Sequence, residues 1–244
     1  MEIIKVKDYA ELSKEAAKIF ERTIAKQQNK EVVINTTTGA SYDGMFKLLV
    51  DYINKGRMSI KNTIITNLDE YIAKKTDKYT VYRYMYENFY NLINQSPKYI
   101  GLLDGSVSDI GEEIERYNKV LQNYPRDLQI LGLGVNGHLG ANEPGTSFNS
   151  RLFLANSDES TIKSTMKYQK LNSSEAPTQM LTLGLADIMD SNEILLVASG
   201  ERKAEAVQRT IEGPISKMCP ATILRNHPNV TFIIDEEAAK YLKS

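Results

Sequence analysis

The residues best placed to do chemistry lie in the stretch Leu131–Gly145, LGLGVNGHLGANEPG. His138, one of two histidines, can both take and give a proton near neutral pH. Glu143 follows across a turn that Asn142 and Pro144 sharpen, so the pair reads as an imidazole oriented by a carboxylate. Gly132, Gly134, Gly137 and Gly140 allow close backbone approach and positive φ. On chemistry alone, a glycine-rich loop whose histidine only caps or packs fits equally well.

Three further polar groups stand at strand ends. The run Glu31–Thr36 reads as a central strand and leads through Thr36–Ser41, TTTGAS, into a helical pattern at Met45, Phe46, Leu48, Leu49 and Tyr52. A strand, a hydroxyl-rich loop with glycine and a helix amino terminus together can cradle a phosphate. The spacing matches neither a Walker loop nor a dinucleotide fingerprint, and a plain strand-to-helix turn is the alternative. Asp69 and Glu70 sit at the carboxyl end of the strand Asn62–Leu68, suited to a base or a metal ligand, or to solvated loop acids. Lys203 opens the helix after the strand Glu193–Ala198. A lysine opposes the helix dipole there and makes sense beside a bound anion, or as an exposed side chain.

The elements that must position these groups alternate between strand and helix. Ile3–Val6 reads as an edge strand or extended arm. Asp8 and Glu11 resemble a capping box, opening a helix with Leu12, Ala16, Ile19, Phe20, Thr23 and Ile24 on one face. Thr80–Ile93 carries aromatics at helical spacing, for a helix packed on the sheet or on a subunit. Asp109–Gln122 and Thr178–Met189 read as helices, Asp127–Leu133 and Asn229–Ile234 as strands, with a final helix from Asp235. His227 enters the last strand at the end remote from chemistry and reads as structural.

The pattern predicts an α/β fold: a doubly wound, mostly parallel, Rossmann-like sheet with helices on both faces, one domain over 1–244. Ligands of such sheets bind beyond the carboxyl ends of the strands. Thr38–Ser41, Asp69, Asn136–Glu143 and Lys203 then converge on one edge, a set suited to proton transfer on a small phosphorylated metabolite.

Composition narrows the partners. The 244 residues are 41% hydrophobic and 25% charged, with net charge -1, which gives no reason to expect nucleic acid or an anionic membrane. Cys219 is the one cysteine, and no zinc-ligand cluster is visible. No apolar run is long enough to span a membrane, and MEIIKVKDYAELSK lacks a signal peptide's apolar core, so a cytoplasmic protein is expected.

The segments GLGVNGHLGANEPG, NLDEY, TTTGAS, SGERKAEAV and PATILRNHPNVTFIIDEEAA closely resemble the glucosamine-6-phosphate deaminase (isomerase) family, in order from about Val32 to Ala239. The combination of G-H-x-G-x-N-E-P with a D-E-Y strand end also separates the chain from 6-phosphogluconolactonases, which share the fold but lack N-E-P. The resemblance implies conversion of an amino-sugar 6-phosphate and water into a ketose 6-phosphate and ammonia, with no metal or organic cofactor. It implies Asp69 as the base moving a proton between C2 and C1, and His138 as the acid/base that opens the ring. Glu143 and Asn136 would orient that histidine. Thr38, Gly39, Ala40, Ser41, Gly137 and Lys203 would hold the substrate and its phosphate. A lactonase-like hydrolase and a non-catalytic sugar-phosphate-binding protein are the alternatives.

The chain departs from the family's usual pattern at several positions. Asn136 stands where many members have Asp, and an amide cannot carry charge. Ala141 replaces an aromatic before N-E-P, which would leave space near the sugar. Lys167 replaces a phosphate-binding arginine, as a point charge without a bidentate fork. Ala40, G-H-L-G followed by the non-aromatic Ala141, Met166–Lys167 and the L-T-L-G-L at Leu181–Leu185 are similar to the galactosamine-6-phosphate isomerase branch, whose product would be tagatose 6-phosphate rather than fructose 6-phosphate. Long members carry an Arg and a Lys after N-E-P that bind N-acetylglucosamine 6-phosphate between subunits. Here Arg151 is followed by Leu152–Ala155 and the chain stops soon after its last helix, so a monomer or weak oligomer without that activation is expected. Initial-rate curves should be hyperbolic and unmoved by N-acetylglucosamine 6-phosphate; a sigmoidal curve that the effector makes hyperbolic overturns this.

Overall fold

The computed structural model describes residues 1–26, 30–157, 159–173 and 176–243. Its centre is a seven-stranded, wholly parallel sheet. In chain order the strands are β1 (Glu2–Val6), β2 (Val32–Thr36), β3 (Thr63–Asn67), β5 (Tyr99–Gly101), β6 (Leu128–Gly132), β9 (Glu193–Ala198) and β10 (Val230–Asp235). Their spatial order is β1-β10-β9-β6-β2-β3-β5. The expected doubly wound α/β fold is what the chain forms.

Both faces of the sheet are dry, which explains the continuous apolar runs of its inner strands. Successive residues of β9 feed opposite cores: Leu195 and Val197 pack with Phe20, Phe46 and Phe89, whereas Ile194, Leu196 and Ala198 pack with Tyr117, Ile188 and Val207. The first core belongs to helices α1 (Tyr9–Lys26), α2 (Asp43–Asn54) and α3 (Val81–Asn88). The second belongs to α4 (Ile110–Asn123), α6 (Leu185–Met189) and α7 (Ala204–Glu212). At the start of α1 the Asp8 carboxylate accepts the Glu11 N–H at 3.0 Å, while Glu11 reaches back to the Lys7 N–H at 3.0 Å. The expected capping box therefore forms with its return bond one residue early. Among the described residues no helix is long and apolar enough to cross a membrane.

A second, antiparallel sheet of order β4-β8-β7 overlies the carboxyl edge of the first; it comprises β4 (Asp69–Tyr71), β7 (Phe153–Asn156) and β8 (Gln179–Thr182). This corrects the expected helix over Thr178–Met189. An apolar run this short fits either periodicity. Here β8 lies between β4 and β7 and pairs with both, so strand geometry satisfies its backbone on two sides. Helix α6 begins only after Gly184, whose N–H bonds the Asp187 carboxylate at 3.2 Å.

Four strands and helices have no counterpart in the sequence expectations: β4, β5, β7 and α5 (Glu159–Gln169). The final helix expected from Asp235 is instead a series of turns, with Lys240 N–H bonding Glu237 O and Leu242 N–H bonding Ala239 O. The Asp235 carboxylate accepts the Ala238 N–H at 2.8 Å as an N-cap does, and the Ala239 N–H bonds Asp235 O at 2.9 Å, but the bonds that follow span only three residues, so no α-helix continues.

Gly184 tests the join between the two sheets. A Cβ there would meet the Ser150 carbonyl carbon and oxygen at 2.2 Å, with no flexible side chain to give way. Gly184→Ala should cost roughly 1–3 kcal/mol or more in urea unfolding; parent-like stability would mean this contact relaxes freely.

Candidate active site

A cavity of about 750 Å³ opens over the carboxyl ends of β2, β3, β6 and β9. It is the crevice expected of a doubly wound sheet. A second, open cavity of about 450 Å³ lies at the opposite edge, beside Asp127 and Pro228. There Arg22 and Lys26 both pair with Glu193, so its charges answer one another.

Part of the main cavity's lining is the loop Thr37–Ser41. Gly39 adopts φ +119°, a conformation other residues rarely take, and its carbonyl accepts the Tyr42 N–H at 2.8 Å to close the turn. No side chain caps α2, leaving its amino terminus to face the loop. The Tyr9 hydroxyl from α1 donates to Ala40 O at 2.7 Å and accepts the Gly44 N–H at 2.8 Å, which stitches the loop in place. Lys203 lies on the same cavity wall, in a short 3₁₀ turn (Glu201–Lys203) before α7. Burial, aided by Arg202, pushes its ammonium down to about 8. Thr38, Gly39, Ala40, Ser41 and Lys203 thus come together as the sequence suggested. Lys167, exposed on α5, lines the cavity too.

Asp69 lines the same cavity. It is 8% exposed, and burial raises its carboxyl to about 7 although His138 pulls it down. Its backbone is fixed by a buried polar network where the chain leaves β3 for β4. The Asn67 amide donates to Asp69 O at 2.8 Å, and its carbonyl oxygen accepts the Leu103 N–H at 2.8 Å and the Tyr117 hydroxyl at 3.0 Å. Next door, the buried Glu70 carboxylate accepts the N–H groups of Tyr71, Val81 and Tyr82 at 2.7–2.8 Å. Glu70 therefore caps α3 and faces away from any substrate, while burial pushes it up to about 8 against those three donors.

His138 shares the cavity with Asp69. Gly134 makes room for it: a Cβ there would meet the imidazole at 2.3 Å. Nδ1 lies 3.2 Å from Glu143 Oε2, an ion-pair contact rather than an aligned hydrogen bond. Asn136 braces this pair, donating its amide to Glu143 Oε2 at 2.8 Å and accepting the His138 N–H at 3.1 Å. Asn136 thereby fixes the Glu143 carboxyl without itself carrying charge. Asn136 and Glu143 stand behind the imidazole and not on the cavity wall.

Two expectations need correction. Gly137 does not line the cavity; with φ +90° it packs on Cys219, where a Cβ would lie 2.4 Å from Sγ. Ala141 does not leave space near the sugar. It is buried in a small cluster with Ala155 and Met180, and the wall there is made by Met180 and Tyr71. Tyr9, Tyr71, Met180 and Arg202 are lining residues that sequence reasoning missed. Tyr71 lay within the D-E-Y signal and Arg202 beside Lys203; Tyr9 and Met180 carried no local signal. His227 is buried, as a structural residue should be, bonded to Ser191 O at 2.8 Å and the Asn229 N–H at 3.1 Å. Among the described residues no group of three or more His, Cys, Asp or Glu side chains is placed to hold a metal.

A family profile for glucosamine-6-phosphate isomerases/6-phosphogluconolactonase matches residues 7–233. The chain belongs to this family. Among members of the glucosamine-6-phosphate isomerase/6-phosphogluconolactonase family, a glucosamine-6-phosphate deaminase of Clostridium acetobutylicum is 41% identical over 99% of this chain and 100% of its own. One from Streptococcus pneumoniae is 39% identical over the whole of both. A monomeric glucosamine-6-phosphate deaminase of known structure superposes with TM-score 0.93 at 35% identity, covering 99% of this chain and 100% of that one. A 6-phosphogluconolactonase from Trypanosoma brucei, at TM-score 0.78 and 18% identity over 99% of this chain and 98% of that one, shares the fold.

The raised Asp69 carboxyl has a stability consequence. Between about pH 4, where an unfolded aspartate ionises, and about 7, the folded chain holds the extra proton. Stability then falls as pH rises through that window. Asp69→Asn removes the penalty, so in urea unfolding it should gain on the parent by roughly 2–4 kcal/mol at pH 8 and by clearly less at pH 5. An equal difference at both values rules out a raised Asp69.

Proposed function

We propose that this protein is an amino-sugar 6-phosphate deaminase (isomerase), with 1–244 acting as one catalytic unit. The observation that carries the reading is Asp69: a dry carboxylate raised to about 7, sharing a cavity with His138 and with the Thr38–Ser41 loop and Lys203 as a phosphate cradle. A carboxyl near neutrality is a base strong enough to take a carbon-bound proton made acidic by an adjacent carbonyl, and acid enough to return it.

His138 opens the pyranose, taking the proton of the C1 hydroxyl and delivering one to the ring oxygen. The open aldehyde acidifies C2. Asp69 takes the C2 proton, the electron pair moves through C2 and C1 to the aldehyde oxygen, and that oxygen is protonated to give an enolamine. Asp69 then returns its proton to C1, leaving an imine at C2. Water adds to C2 and ammonia departs, so the ketose 6-phosphate is formed with no net oxidation. Glu143, braced by Asn136, holds the imidazole in place.

Relatives at about 40% identity are named glucosamine-6-phosphate deaminases, which supports glucosamine 6-phosphate as substrate. The galactosamine alternative retains Ala40 and Lys167, both on the cavity wall, but loses Ala141 as an argument. The monomeric relative supports a monomer.

Ammonia release from glucosamine 6-phosphate and galactosamine 6-phosphate, side by side, is the direct test. Release from at least one is expected, and the kcat/KM ratio assigns the C4 preference; a tenfold ratio needs only about 1.4 kcal/mol. Release from neither, with hydrolysis of 6-phosphogluconolactone, overturns the proposal in favour of the lactonase. Asp69→Asn should lower kcat at least about a thousandfold while inorganic phosphate still binds. In the parent, kcat/KM should fall as pH drops through about 7, where Asp69 gains its proton.

A further inference from the structure

Arg202 lines the cavity and is exposed at its mouth. Every other arginine of the chain donates a hydrogen bond within the protein. Some bond carboxylates, as Arg57 and Arg116 do; others bond backbone carbonyls, as Arg209 and Arg225 do. Arg202 makes none among the described residues. Its sequence neighbour Glu201 pairs with Lys240.

The backbone beneath Arg202 is fixed. Gly200 takes φ +86° and its N–H bonds both oxygens of the buried Asp235 carboxylate at 3.0 and 3.1 Å. The Lys203 N–H then bonds Gly200 O at 3.0 Å. Two cations are thereby held in sequence on the cavity lining, neither in an ion pair among the described residues, and Arg202 contributes to lowering the Lys203 ammonium. Like charges kept together without a counter-charge are stabilised by an anion from outside the protein. A guanidinium offers paired N–H donors in a planar fork, which fits two oxygens of a phosphate; an ammonium offers only a point charge.

We propose that Arg202 is a phosphate-binding residue of this cavity, gripping the substrate's phosphate bidentately alongside Lys203 and the Thr38–Ser41 loop. The proposal rests on the functional reading above only for the identity of the substrate.

Arg202→Gln and Arg202→Lys in the full chain test it. Binding of inorganic phosphate by calorimetry and ammonia release from glucosamine 6-phosphate are the two readouts. Arg202→Gln should weaken phosphate and raise KM about tenfold or more, with kcat within about threefold. Arg202→Lys should recover only part of the loss. Phosphate affinity within twofold of the parent in Arg202→Gln overturns the assignment, and full recovery by lysine overturns the bidentate grip. If the parent releases no ammonia from either sugar phosphate, the deaminase reading fails, and the phosphate titration still decides Arg202.

Discussion

Keeping the Asp69 carboxylate out of water is the constraint on which the rest of the site depends. An aspartate at that position pays for its burial in solvation and needs a scaffold that neither relaxes nor lets water in. A polar seam through the middle of the sheet supplies it. Gln129 on β6 donates to Asn35 on β2 at 2.8 Å, and Asn35 donates to Thr66 Oγ1 and to Asn67 O, each at 2.9 Å. Asn67 then holds the backbone of Asp69. The seam is buried and spans three neighbouring strands, so shifting Asp69 means breaking hydrogen bonds that have no water to replace them.

Burial acts on two groups of the cavity in the same sense. It raises Asp69 and lowers Lys203, bringing each toward the pH at which it gives up its charge. An anion beside Lys203 would favour the charged ammonium, and a cation beside Asp69 would favour the charged carboxylate. The low dielectric that makes each charge costly when the cavity is empty strengthens its interaction with a bound substrate.

Much of this was legible in the sequence because it depends on local order. Buried parallel strands must be continuous apolar runs, so β2, β6, β9 and β10 stood out. Loops at their carboxyl ends must hold whatever chemistry there is, so Asp69, His138, Thr38–Ser41 and Lys203 were found. What escaped is non-local. β8 became a strand because β4 and β7 flank it, and nothing within Gln179–Thr182 announces either partner. Tyr9 reaches the phosphate loop from a different helix, across 31 positions of chain. Ala141 was misplaced because a small residue next to a catalytic loop suggests space, whereas Met180 from another strand fills the wall. Gly137 reads as a ligand-facing glycine until the packing of Cys219 explains it.

The pairing of β1 with β10 has a consequence for how the chain acquires its structure. Glu2 lies opposite Thr231 and Val6 opposite Asp235, and β1 has no other neighbour in the sheet. In this sheet β1 therefore waits for a strand made much later in the chain. Until Val230–Asp235 emerges, β9 has an open edge, and α1 lacks part of the surface on which it packs. Closing so long a loop is slow, and the nascent chain keeps unpaired strand edges exposed throughout its synthesis. The sheet is completed by a late, long-range docking of β1 against β10, and Asp235, at the end of β10, also anchors the turn carrying Arg202 and Lys203.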